Sequence, residues 1–182
     1  GTLTIQNDDT QGYVTIADAA MAEGSSGANT NLAFTVSLKD ASGNNLNAPT
    51  GGVQVTATPS DSSPQSATGT TQACSSASST RDYTTTAITV TIPAGSSSAT
   101  ASVPVCGDTV AESNETFRVT LTAPTNNALL GVPGNASTGT IAVGTIRNDD
   151  TSLTVAVKGG TDRKSTRLNS SHVSESRMPS SA

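Results

Sequence analysis

The sequence predicts an all-β fold, two antiparallel sheets packed as a sandwich, and three observations carry that prediction. Thr, Ser, Ala, Gly and Val dominate, and Tyr13, Phe34, Tyr83 and Phe117 are the only aromatic residues; small and β-branched side chains suit strands. Apolar and polar residues alternate over several short runs, as in a strand with one buried face. Gly, Pro, Asn and Ser separate these runs and are turn formers, while no helical period lasts more than a few residues.

In chain order the alternating runs place strands at 13–17, 31–38, 52–58, 87–92, 99–106, 115–123 and 138–147. The first is Tyr-Val-Thr-Ile-Ala, followed by Gly24 and further small turn residues. The fourth passes into the fifth through Pro93-Ala94-Gly95. In the fifth, Ala101, Val103 and Val105 share a face; in the sixth, Phe117, Val119 and Leu121 do so, with Thr116, Arg118 and Thr120 facing outward. Seven short strands with such turns are the pattern of a two-sheet sandwich.

One signature occurs twice. Thr4-Ile5-Gln6-Asn7-Asp8-Asp9-Thr10 returns as Thr145-Ile146-Arg147-Asn148-Asp149-Asp150-Thr151, 141 residues later. A motif recurring at domain spacing indicates a tandem array. Residues 1–10 are therefore expected to be the last strand of a preceding repeat, 11–151 one complete repeat, and 152–161 the start of the next. Residues 162–182 differ in charge and pattern. Back-translated, 162–172 and 176–182 resemble the two ends of a common short-read sequencing adapter, so this stretch reads as a non-native tail rather than a basic disordered segment. It contains His172, the only histidine.

Of nine basic and fourteen acidic side chains, the tail holds four and two, which leaves five and twelve and a net charge of −7. An acidic chain is a poor partner for nucleic acid and attracts cations. No run of about 20 apolar residues is present to insert into a membrane.

If successive strands reverse direction, Glu23, Asp61, Asp82, Asp108, Glu112, Glu115, Asp149 and Asp150 fall at one pole of the sandwich and Asp40 at the other. Clustered carboxylates on loops suit a hard cation such as Ca²⁺, which takes six to eight oxygens; simple solvated loops are the alternative. With the histidine set aside and the thiols taken as paired, zinc and copper lack ligands.

The segment from Val103 to Leu121, with Asp108-Thr-Val-Ala-Glu112-Ser-Asn-Glu115-Thr-Phe117-Arg-Val119-Thr-Leu121, resembles the acidic loop and following strand of Calx-beta domains. Glu23-Gly24, Asp82-Tyr83, Ile92-Pro93-Ala94-Gly95, Gly139-Thr-Ile and Thr145-Ile146-Arg-Asn-Asp-Asp150 resemble further family motifs. The resemblance spans roughly 11–150 and implies a seven-stranded immunoglobulin-like antiparallel β-sandwich that binds Ca²⁺ at one end. It maps ligand positions onto Glu23, Asp82, Asp108, Glu112, Glu115, Asp149 and Asp150, with Glu115 alternatively facing solvent. Two departures are visible: Gly107 stands where strong binders carry more acid, and Asn148 where many have a third closing carboxylate. One or two weakly bound ions are expected, with affinity suited to millimolar external calcium.

Cys74 and Cys106 are the only cysteines. Both are expected near the acidic pole, so a disulfide is geometrically reasonable and would indicate an oxidising compartment; two free thiols are the alternative. Asn114-Glu115-Thr116 and Asn135-Ala136-Ser137 fit the N-glycosylation pattern and read as incidental. No nucleophile–base pair is evident, so no enzymatic activity is expected.

The functional expectation is a calcium-binding structural repeat of a secreted or surface-anchored bacterial protein, acting in adhesion or cell communication, with Ca²⁺ stiffening the inter-module joint. Its expected partners are neighbouring repeats of the same chain and cell-surface protein or glycan ligands. A Ca²⁺ sensor, as in sodium–calcium exchangers, and a calcium-free spacer are the alternatives.

Overall fold

The structure, a computed structural model, describes residues 10–25, 29–61, 66–74 and 81–151. The expectations for 1–9, which include Asp8 and Asp9, and for 152–182 lie outside these residues. The described part is all-β and lies within one compact unit.

Eleven strand segments form two sheets. They are β1 (Tyr13–Ile16), β2 (Ala19–Ala22), β3 (Asn29–Lys39), β4 (Val53–Ser60), β5 (Gly69–Thr70), β6 (Tyr83–Thr84), β7 (Ile88–Ile92), β8 (Ser98–Cys106), β9 (Glu115–Thr122), β10 (Leu129–Leu130) and β11 (Ile141–Arg147). One sheet runs β10-β1-β3-β8-β6-β5 and the other β2-β11-β9-β4-β7. The longest ladder joins β3 to β8, from Asn29 opposite Cys106 to Ser37 opposite Ser98.

The inward faces follow the alternation read from the sequence. Leu32, Phe34, Val36 and Leu38 of β3 and Ala101, Val103 and Val105 of β8 are buried against Val53, Val55 and Ala57 of β4 and Phe117, Val119 and Leu121 of β9. Burying each such Val, Leu or Phe side chain is worth about 1.5–3 kcal/mol. The three buried aromatics lie together: Phe34 meets Phe117 edge-on at 5.9 Å, and Tyr83 stacks on Phe117 at 4.0 Å. A core poor in aromatics therefore concentrates them below one end of the sandwich, where Tyr83 directly follows Asp82.

Each of the seven predicted strands has a counterpart, with three differences of substance. The first ends at Ile16, pairing with β3 and β10 in one sheet, and a separate segment, β2, follows it and pairs in parallel with β11 in the other. At the crossing, Ala17 donates to the Thr35 carbonyl at 3.1 Å, and the Asp18 carboxylate accepts the Val143 N–H at 2.7 Å. The sixth stops at Thr122 because Ala123 has φ 51°, and the seventh begins only at Ile141, after the turns of Gly131, Gly134 and Gly139. The short segments β2, β5, β6 and β10 were not foreseen, since two to four residues carry too little alternation to register.

The registers bring residues 23–25, 61 and 81–82, the β8–β9 loop and the residues after β11 to one pole. The β3–β4 connection, 93–97 and 123–140 lie at the other. The described ladders and core contacts fall within the compact unit Gly1–Ser152.

Candidate metal centre

Several strand ends place a carboxylate at the same pole. β2 runs into Glu23, whose N–H donates to the Arg147 carbonyl at 2.9 Å. β8 ends at Cys106 and delivers Asp108 beside it; Asp108 bridges to Ser25 and donates its N–H to Glu23 Oε1 at 3.2 Å. Asp108 Oδ1 accepts the Val110 N–H at 2.7 Å and tightens the loop. Glu112 follows in that loop, Glu115 opens β9, and Asp149 and Asp150 follow β11.

Gly107 is what lets the β8–β9 loop approach the β2–β3 loop. A Cβ there would stand 2.4 Å from the Gly24 carbonyl oxygen and 2.9 Å from that of Ser25. The glycine in place of an acid is thus a steric requirement of this site.

Two groups of oxygens come together. Carboxylate oxygens of Glu23, Asp108 and Glu112 lie within 4.8 Å of one another, and so do those of Asp82, Glu112 and Glu115. Oxygens on opposite sides of one Ca²⁺ stand about 4.6–5.2 Å apart, twice the usual ligand distance. Each triad can therefore face a single ion, with Glu112 common to both. Glu23 and Asp108 are only 6 % and 2 % exposed, so water screens them poorly.

The electrostatics follow from burial. Burial, then Asp108, pushes Glu23 up to about 7 from its ordinary 4.5. Burial, then a hydrogen bond with Asp82, pushes Glu115 up to about 8. Asp82 and Glu112 are raised, also chiefly by burial. The leading forces on these groups are desolvation and one another, the condition in which carboxyls hold protons or a cation.

Asp82 is clamped by backbone: its N–H donates to the Thr68 carbonyl at 2.9 Å, its own carbonyl accepts the Cys106 N–H at 2.9 Å, and its Oδ2 accepts the Thr68 N–H. Cys74 and Cys106 form a disulfide, Cα–Cα 5.0 Å, that ties the loop before Asp82 to the end of β8.

Glu23, Asp82, Asp108, Glu112 and Glu115 thus converge, Glu115 with its carboxyl turned to Asp82. Asp149 is exposed, and its carboxylate accepts the Gly24 N–H at 3.2 Å; it belongs to neither triad. Asp150 has a buried Oδ2 without a hydrogen-bond partner. A buried oxygen without a donor is costly, and this one raises the pKa of Glu23, so it fits a site completed by a cation. Asp61 is turned away, accepting from Tyr83 Oη and from the Gly69 N–H.

Asn148, expected from the sequence only as a missing carboxylate, braces the site. Its Oδ1 accepts the Glu112 N–H at 3.2 Å, its Nδ2 donates to the Asp150 carbonyl at 2.8 Å, and its N–H donates to Asn114 Oδ1 at 3.1 Å. A carboxylate at 148 could accept but not donate. The available signal was Asn7, the same residue in the first copy of the signature.

The Calx-beta domain family model matches residues 49–150, more than half of the chain. The chain belongs to the Calx-beta domain family. No curated protein matches it. Among solved structures, this Calx-beta chain is similar to the apo-form Calx CBD1 domain, with TM-score 0.51 and 17 % identity, covering 77 % of this chain and 99 % of that one. It is also similar to CBD12 from CALX1.2, with TM-score 0.50 and 18 % identity, covering 76 % of this chain and 46 % of that one. It thus spans under half of the CBD12 chain. At these identities the likeness is one of fold.

Proposed function

We propose that this Calx-beta domain is a calcium-binding structural repeat of an extracellular multi-domain protein, with Ca²⁺ at the carboxylate pole stiffening the joint to the next module. The observation that carries the reading is the convergence of Glu23, Asp82, Asp108, Glu112 and Glu115 from separate connections into two touching triads, beside the partnerless buried oxygen of Asp150. Calcium would supply the positive charge that lets these carboxyls stay ionised at neutral pH. The all-oxygen donor set suits a hard cation.

The paired cysteines support an oxidising, extracellular location, and the twofold signature supports a tandem setting with adhesion or cell communication as its purpose. The reading is non-catalytic. Calorimetric titration of the chain with Ca²⁺ tests it: heat at micromolar to millimolar concentration, lost in Asp108→Ala, is expected, while no heat up to about 10 mM, beyond the range of weak extracellular modules, would sink it.

A further inference from the structure

The pole opposite the carboxylates carries a groove of about 810 Å³. Leu46, Pro49 and Leu129 give it apolar walls; Gln11, Asn47 and Asn127 stand on its rim. Leu129 is 49 % exposed, unusual for a leucine in so small a core. The chain enters the domain along this groove and is fixed there. Gln11 Nε2 donates to the Asn127 carbonyl, and the Leu129 N–H donates to the Gly12 carbonyl at 2.8 Å. Gly12 lies flush on the core, since a Cβ there would stand 2.8 Å from Leu38 Cδ1.

We infer that this groove seats the carboxylate pole of the preceding repeat, an inference that rests on the tandem reading above. Four Cα–Cα steps, through Thr10, Gln11 and Gly12, lead from Asp9, in the first copy of the signature, to Tyr13 at the start of β1. They span at most about 14 Å, roughly half the 30 Å length of a nine-residue strand such as β8. So short a tether, already pinned at Gln11 and Gly12, brings the loops of the two poles into contact.

The surfaces suit each other. Three large apolar side chains are exposed among the described residues, and two of them sit on opposite poles: Val110 (45 %) in the β8–β9 loop and Leu129 at the groove. In a head-to-tail array the residue equivalent to Val110 faces Leu129 of the next module. The receiving pole also offers little repulsion. Asp40, its carboxylate, accepts the N–H groups of Ser42 and Asn44 and the Asn44 amide, while Lys39 Nζ points to Asn45 Oδ1.

The test is a tandem protein in which residues 1–151 run directly into a second copy beginning at Gln11, so that Thr151 takes the place of Thr10. Leu129→Asp is introduced in the first copy or in the second, and small-angle X-ray scattering reports the radius of gyration. Only the second copy's groove has a preceding module to receive. The substitution there is expected to enlarge the radius and broaden the distance distribution, with no change when it lies in the first copy. Val110→Ser is expected to act only in the first copy. Equal effects of Leu129→Asp at both positions, or no effect at either, would overturn the proposal. A Leu129-dependent joint that ignores EDTA would uphold the groove while removing calcium as the stiffening agent.

Discussion

Glu23 accepts the backbone N–H of Asp108 at 3.2 Å, joining positions 85 residues apart in the sequence. The acid that closes β2 thereby fixes the backbone of the acid that follows β8. Folding the sandwich and gathering the carboxylates are one event, so the energetic cost of crowding them falls on the fold itself.

The stability of the carboxylate pole depends on pH. Glu23 and Glu115, pushed up to about 7 and about 8 from an ordinary 4.5, hold their protons more tightly in the folded than in the unfolded chain. The stability they contribute is complete below about pH 4.5 and is lost as pH rises through 7 and 8. In EDTA the melting temperature is expected to be lower at pH 8 than at pH 5. Calcium at the proposed site would compete for the same oxygens, so its stabilising shift should grow with pH, and binding near pH 7 should release protons in calorimetry across buffers of different ionisation heat. An EDTA melting curve unchanged over this range would show that the carboxyls do not hold these protons.

Asn148→Ala removes the amide that braces Glu112 against Asp150. Loss of such an outer partner typically lowers metal affinity roughly 10–100-fold. Calcium titration of the variant should show this loss, and Asn148→Asp should rescue it only in part, since the Asp150 carbonyl would still lack its donor.

Gly107→Ala sets a methyl group against the Gly24 carbonyl, a backbone atom that cannot swing aside. Overpacking of this kind costs about 1–3 kcal/mol. Urea denaturation should report destabilisation in that range, with weakened calcium binding because the Glu23–Asp108 contact is forced open. A neutral substitution would mean that the two loops part more easily than the geometry implies.

Cys74→Ser opens a 32-residue closure worth about 3–4 kcal/mol in the chain-entropy model. The urea midpoint should fall accordingly. Calcium affinity should fall too, because the Cys106 N–H bonded to Asp82 and the turn to Asp108 then lose their covalent anchor. An affinity unchanged by the substitution would confine the disulfide to a stability role.

The sandwich was legible in the sequence where alternation was long. In β8 and β9 every second residue is apolar, and both faces fell as read. It was illegible where side chains or turns replace the ladder: Asp18 carries the chain between sheets, and Ala19-Ala-Met-Ala22 holds no alternation to announce a strand. At the candidate site the carboxylates were visible as residue types, since loop acids share a pole once strands alternate in direction. Their individual fates were not. Nothing local tells that Asp61 serves the Tyr83 hydroxyl, that Asp149 caps Gly24, or that Asn148 is a brace, because each partner comes from a distant part of the chain.

The passage of the chain from β1 in one sheet to β2 in the other has a mechanical meaning. The described segment enters at the groove pole and leaves at the carboxylate pole, with β2 lying parallel to β11. Tension applied to the two ends of this segment, as in the proposed tandem array, would pull these strands along their length in opposite directions, across hydrogen bonds that lie transverse to the pull. The bonds must then yield together instead of opening one by one. Single-molecule stretching should show abrupt, high-force rupture rather than gradual extension, and Asp18→Ala, which frees Val143 at the crossing, should lower that force. A string of such modules would bear tension as a chain of stiff links, each failing all at once.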